Sequence, residues 1–272
     1  MEAKTPLKTV NLHKQIRSLT VTQTGSIPVQ LRLETETDFA SAVIAHSEDA
    51  STTFEAAFDK NENLHIDVAS KGAFFSRDRK GGFVLVVRVP RDLEHLDVSG
   101  NAGGVYVNGP NVSGSIKVTL GAGEVQFRSP ILCESFDVSA KAGAVNLSNV
   151  TVSGAVAVSS YAGEVKGSVS GYTSLRADAK MGSLDLQLAP APGAQTTLEA
   201  KMGELKVQVS KFQGRFRVGA KMGDVKVSGP DSYQASNPCT GYVGTELQKG
   251  LGVEDVSFIA SVGMGSAKVE FL

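Results

Sequence analysis

With 272 residues, 41% hydrophobic side chains and 29 glycines, the chain has enough apolar material for a buried core and the glycine content of a turn-rich β protein. Its 27 basic and 28 acidic residues leave a net charge of −1, so it lacks the electrostatic footprint of a nucleic-acid or anionic-membrane binder. Tryptophan is absent and aromatics are 6%, which argues against stacking platforms for sugars or nucleobases.

Residues 1–26 read as a polar lead-in with a short strand around Leu19-Thr20-Val21. Met1-Glu2-Ala3-Lys4-Thr5-Pro6 has no apolar leader core, and no later run is long enough to span a bilayer. As written, the sequence is expected to be cytoplasmic, or extracellular and at the cell surface if it is a mature domain. A strand is expected at 29–33, and residues 40–45 fit a strand or a helical turn equally. Residues 54–58 and 64–68 flank Asp59-Lys60-Asn61-Glu62-Asn63 as a hairpin with a five-residue loop. An apolar strand over 83–89 is closed by Pro90. Residues 1–90 are read as an irregular β cap that protects the exposed end of the repeats C-terminal to it.

From residue 103 onward one phrase recurs: Ala102-Gly103-Gly104-Val105, Ala122-Gly123-Glu124-Val125, Ala142-Gly143-Ala144-Val145 and Ala162-Gly163-Glu164-Val165. Then come Met181-Gly182-Ser183-Leu184, Met202-Gly203-Glu204-Leu205, Met222-Gly223-Asp224-Val225 and Met264-Gly265-Ser266-Ala267. The glycines are spaced 20, 20, 20, 19, 21 and 20, with a last step of 42. Counted from each glycine, apolar residues stand at −7, −5 and −3 and again at +2 and +4. Phe136, Val138 and Ala140 with Val145 and Leu147 are one such set. Two runs of period two broken at a glycine mean strand, corner, strand. One coil cannot bury its own apolar side, so coils of about 20 residues must stack, about 4.8 Å apart, with like residues in ladders. The expected fold is all-β: a single-stranded β-solenoid of about eight coils over 91–272, preceded by the irregular cap. The pattern lacks the phase of hexapeptide and pentapeptide solenoids and the aspartates of calcium-binding nonapeptide rolls. Residues 229–256 break the rhythm and are read as a loop excursion.

These coils, preceded by Val87-Arg88-Val89-Pro90 and by Leu93 and Leu96-Asp97-Val98, resemble the putative adhesin family over roughly residues 60–272. That family is a β-solenoid domain of unknown function, commonest in bacterial envelope proteins. Its pattern is an apolar strand ending in Val-Pro, then repeated Gly-[Asp/Glu/Ser]-[Val/Ile/Leu] coils. Glu124, Glu164, Ser183, Glu204 and Asp224 take the variable polar position here. The resemblance implies an adhesin-like binding role.

Lys141, Lys180, Lys201 and Lys221 precede the corners. The last three are expected about 5 Å apart on adjacent coils. Glu204 and Asp224 would interleave with them, either as a solvated, charge-alternating edge or as a binding strip. Met181, Met202, Met222 and Met264 are expected to fill a corner of the core. A soft-metal role is the alternative, since thioethers favour copper. The four histidines share no spacing with one another or with acids, no Cys/His metal motif is present, and no serine sits in a nucleophile elbow. Cys133, in a turn, and Cys239, in the late insertion, lie in no metal-like spacing, and a bridge between them is a minor alternative. Three glycosylation sequons, at Asn111, Asn146 and Asn149, matter only on a eukaryotic secretory route.

The functional expectation is therefore a non-enzymatic binding or scaffold module that recognises a protein or glycan. It involves no cofactor, metal, nucleic acid or transmembrane segment. One alternative is a carbohydrate-active enzyme using Glu204 and Asp224 as neighbouring carboxylates. The other is a structural protein that self-associates end to end.

Overall fold

The computed structural model describes residues 7–25, 28–35, 41–47, 52–70, 83–229, 237–243 and 256–272. Met1–Pro6, residue 40 and most of the stretch read as a loop excursion lie outside them. The described chain is strands and turns without a helix, and it divides into two compact units, Met1–Cys133 and Glu134–Leu272.

In the C-terminal unit the residues before each corner form one parallel ladder. Ser135–Ala142 pairs with Ala155–Ala162, then Ser174–Met181, then Gln195–Met202. The residues after the corner form a second ladder through Val145–Val152, Val165–Ser170, Leu184–Ala189 and Leu205–Val209. Like residues stack in register and are buried: Phe136 on Val156 on Leu175 on Thr196, and Val145 on Val165 on Leu184 on Leu205. Each buried aliphatic rung contributes about 1.5–3 kcal/mol of transfer free energy. Thr196 is the one polar member of its ladder, and it is satisfied by the buried Tyr172, whose hydroxyl lies 3.1 Å from Thr196 Oγ1.

The coil that comes last in sequence is not last in the stack. Val256–Met264 pairs on one side with Gln195–Met202 and on the other with Gly214–Met222. Ala267–Phe271 likewise lies between Leu205–Val209 and Val225–Ser228. Phe258 and Phe271 of the inserted coil meet Phe212, and Phe271 meets Phe216, at ring-centre distances of 4.9 to 5.7 Å. This aromatic cluster closes the core. The outer edge of Gly214–Met222 carries an antiparallel strand, Cys239–Val243. The described part of the late insertion thus contributes an edge strand, not a coil.

The N-terminal unit uses the same device. Ser18–Thr24 lies between Asn63–Ser70 and the first half of Asp92–Asn108, all parallel. Val29–Thr35 lies between Phe83–Val89 and residues 103–108. Asp92–Asn108 then stacks on Asn111–Phe127. Antiparallel strands cover the outside: Thr52–Phe58 on Asn63–Ser70, Ser41–Ser47 on Phe83–Val89, and Leu7–Gln15 on Ser41–Ser47. Residues 41–47 are therefore strand, the hairpin around Asp59 forms as expected, and the lead-in holds a strand, Leu7–Gln15, that its polar pattern concealed.

The corner glycines from 103 to 265 have φ between +125° and +150°. At Gly163, Gly182, Gly203, Gly223 and Gly265 a Cβ would collide with the carbonyl oxygen of a neighbouring rung's corner glycine. Rung-to-rung hydrogen bonds close the corner: Gly182 N–H donates to Met202 O at 2.9 Å, and Gly203 N–H to Met264 O at 3.0 Å. Glycine is thus required twice, for its dihedral and for its missing side chain. The 19-residue repeat is absorbed away from the corner, where the register shifts between Leu147 and Val150 and Asn149 adopts φ 54° beside Ser168.

Candidate functional site

Strand alternation sends every second residue before the corner outward. In the C-terminal unit this produces three parallel outward rows. The row nearest the corner follows the register Lys141, Tyr161, Lys180, Lys201, Gly263, Lys221. The next holds Ser139, Ser159, Asp178, Glu199, Ser261 and Gly219. The third includes Arg176, whose Nε donates to Asp178 Oδ2 at 2.8 Å. That bond, before any longer-range charge effect, raises the guanidinium pKa.

The structure brings Lys180 and Lys201 onto adjacent rungs, as the repeat predicts. It separates Lys201 from Lys221, because the inserted final coil places Gly263 between them. The expected contact between these two lysines is corrected to a gap of two rungs, about 9.6 Å. The same insertion puts Ser266 between Glu204 and Asp224, since Ala267 pairs with both Leu205 and Val225. The two carboxylates are not neighbours. Their rungs lie two spacings apart, about 9.6 Å along the stack. Nor do they interleave with the lysines: no carboxylate among the described residues lies within ion-pair distance of Lys141, Lys180, Lys201 or Lys221. The acids' side of the corner pairs elsewhere, Lys166 with Glu164 at 3.7 Å and Lys206 with Asp185 at 3.5 Å.

Tyr161, a residue that the lysine pattern alone does not single out, stands between Lys141 and Lys180 and is 52% exposed. Lys180 Nζ lies 5.1 Å from its ring centre, a cation–π contact. Beside it a groove of about 530 Å³ is lined by Ser159, Tyr161, Arg176, Asp178, Lys180 and Lys201, among others. One coil period is the signal that finds this set, because residues at equal offsets from successive glycines become neighbours.

The methionines are expected in the core, and the structure places them outside. Met181, Met202, Met264 and Met222 are 42%, 41%, 44% and 61% exposed. The corner turns the chain immediately before each glycine, which carries this position out of the alternation.

The N-terminal unit has a separate polar cleft of about 710 Å³. It is lined by Arg17, Thr20, Glu62, His95, Asp97 and Ser115, among others. His95 Nδ1 lies 2.9 Å from Ser115 Oγ, one period away in sequence, and accepts the Ser115 backbone N–H at 3.3 Å. A register shift between Leu93 and His95 and the absence of a side chain at Gly114 make room for the ring. His65 faces Asp59 at 3.6 Å, so this histidine does have an acidic partner. Arg17 reaches Glu62 at 3.5 Å and Glu94 at 3.9 Å. Neither cysteine is in a disulfide, and both are buried. Cys133 sits in a short strand rather than a turn, and burial pushes its thiol up to about 12.

Comparison with known proteins places these features in a family context. The Toastrack DUF4097 family model matches residues 16–238. A solved putative adhesin from Bacteroides fragilis is 13% identical, with 99% of this chain and 98% of that one aligned and a TM-score of 0.50. A putative adhesin from Parabacteroides distasonis is 15% identical over 99% and 98%, with a TM-score of 0.39. A putative cell adhesion protein from Clostridium sporogenes is 9% identical over 98% of each chain, with a TM-score of 0.32. At such identities the likeness concerns the fold alone. No curated protein matches the sequence.

Proposed function

This chain belongs to the Toastrack DUF4097 family, and on that premise we propose that it is a non-enzymatic binding module. It recognises an anionic protein or glycan partner through the row of Lys141, Tyr161, Lys180 and Lys201. The observation that carries this reading is the row itself: cations and one aromatic ring on four consecutive rungs, outward and without carboxylate partners among the described residues. Lysines so placed attract carboxylate or sulfate groups, and the exposed tyrosine adds a flat apolar contact. Arg176, held by Asp178, walls the groove beside them. The adhesin descriptions of the solved relatives point the same way, and an adhesive role would put the module at the cell surface. No helix among the described residues is long and apolar enough to cross a membrane.

The test is an array of acidic glycans and proteins probed with the wild type and with Lys180→Glu/Lys201→Glu. Binding should weaken at least tenfold in the variant at unchanged melting temperature, and should fade with salt. A partner held equally by both proteins sinks this reading. Polysaccharide turnover that disappears in Glu204→Gln would instead establish an enzyme.

A further inference from the structure

The chain has five methionines, and apart from Met1 all of them occupy one structural position. Met181 pairs with Met202, Met202 with Met264, and Met264 with Met222, so four thioether side chains stand on four consecutive rungs. Continuity depends on the inserted final coil: in sequence order Met264 comes last, yet in the stack it fills the rung between Met202 and Met222. All four are substantially exposed, and the buried apolar core of the described residues contains no methionine at all. Among the described residues the apolar interior is built from Val, Leu, Ile, Ala and Phe, with Tyr172 and the two cysteines. Gap filling, the ordinary use of methionine, therefore does not account for the ladder. What distinguishes methionine from leucine at an exposed position is its sulfur.

We propose that this ladder binds a soft monovalent metal ion, Cu(I) by chemical class. Thioethers are soft, neutral ligands that select Cu(I) over harder ions. The geometry suits two-coordinate binding between neighbouring rungs. The rung spacing is about 4.8 Å, while two metal–sulfur bonds of about 2.3 Å each span nearly the same distance in line. Three adjacent-rung pairs are available: Met181 with Met202, Met202 with Met264, and Met264 with Met222. Local charge does not oppose a monovalent ion strongly. Lys180, Lys201 and Lys221 precede the methionines, but the inner pair, Met202 and Met264, has Gly263 in place of one lysine and Glu204 just past the glycine. That pair is the strongest position. The ladder lies beside the lysine row but does not depend on it, so the two proposals fail separately.

Silver(I) is a redox-inert probe for the same chemistry. The protein, with Cys133→Ala and Cys239→Ala to remove its two thiols, is titrated with silver nitrate in chloride-free buffer and followed by calorimetry. Met202→Leu/Met264→Leu keeps the apolar bulk and removes two sulfurs. Saturable binding is expected in the cysteine-free protein and should be lost in this variant, which takes a sulfur from all three adjacent-rung pairs. Methyl NMR of methionine in the otherwise unaltered cysteine-free protein gives a second reading that needs no methionine variant: the Met202 and Met264 methyls should shift first, and those of Met181 and Met222 before that of Met1. Equal silver affinity in the leucine variant, absence of saturable binding, or silver shifts that spare the ladder would each overturn the site. Once silver binding is established, Cu(I) under ascorbate should compete with it, and failure to compete would overturn the assignment to copper.

Discussion

In the N-terminal unit the first coil of the chain lies inside the second, and in the C-terminal unit the last coil lies inside the one before it. Each inserted coil is thus held by two neighbouring strands instead of one. The two ends reach this arrangement with different chemistry. Around Ser18–Thr24 the contacts are aliphatic, with Leu19 and Val21 between Leu64 and Ile66 on one side and Leu96 and Val98 on the other. Around Val256–Met264 and Ala267–Phe271 they are aromatic. The covering elements differ too. At the N-terminal end Asp59 ties its loop with a carboxylate, accepting from Asn61 N at 2.8 Å, Asn63 N at 2.9 Å and Asn63 Nδ2 at 2.7 Å. At the C-terminal end Asn237 does so with an amide, accepting from Ala220 N at 2.9 Å and donating to Ala220 O at 2.6 Å. A parallel ladder constrains register far more tightly than it constrains the order in which the chain fills the rungs.

The largest expected effect comes from the inserted coils. Phe271→Ala should cost about 3–5 kcal/mol and Leu19→Ala about 2–5 kcal/mol, because each leaves a cavity between two strands. Denaturant unfolding of the two variants compares the ends directly. A loss below about 1 kcal/mol for Phe271→Ala would show that the aromatic cluster does not hold the final coil in place.

Next in size is a contrast between glycines. Gly203 (φ +141°) faces the Gly182 carbonyl across one rung, whereas Gly193 (φ +77°) has nothing within 4 Å of a Cβ position. Gly193→Ala should cost about 1–2 kcal/mol, the left-handed penalty alone. Gly203→Ala should exceed it by at least about 1 kcal/mol because backbone must also move. Equal melting temperatures for the two variants would remove close approach as the reason for the repeat glycine.

The smallest effect separates the caps by pH. Hydrogen bonds from Asn63, backbone first and then side chain, hold the Asp59 carboxyl at about 2, below its ordinary 3.8. A depressed folded value means that this contribution is complete above the ordinary value and disappears as pH falls through about 2. Asn237 carries no titrating group. Amide NMR in strong acid should therefore show Asn61 and Asn63 losing protection before Ala220. Simultaneous loss at both sites would mean that global unfolding, not the local carboxylate, sets the response.

Much of the molecule is legible in the sequence because a solenoid converts sequence period into spatial neighbourhood. The period of 20, the alternation at −7, −5 and −3, and the corner glycine specify strands, inward ladders and stacking without any long-range information. The placing of Lys180 and Lys201 on adjacent rungs obeys that rule, and so does the His95–Ser115 pair, whose 20-residue separation emerges only when polar offsets are compared as the apolar ones are. The methionines defy the expectation of burial for a local reason: alternation does not extend through the corner, where the chain turns.

What the sequence determined by itself is everything that depends on offset within a coil, since side-chain direction and register there are properties of the strand and its glycine. What only the tertiary structure decided is which coil lies beside which at the two ends. There the 42-residue step and the N-terminal strands leave the chain long enough to return, and the choice passes to packing. Phe258 and Phe271 fit between Phe212 and Phe216, and Leu19 fits between Leu64 and Leu96. That choice separates Glu204 from Asp224 and Lys201 from Lys221, and it joins four methionines into one row.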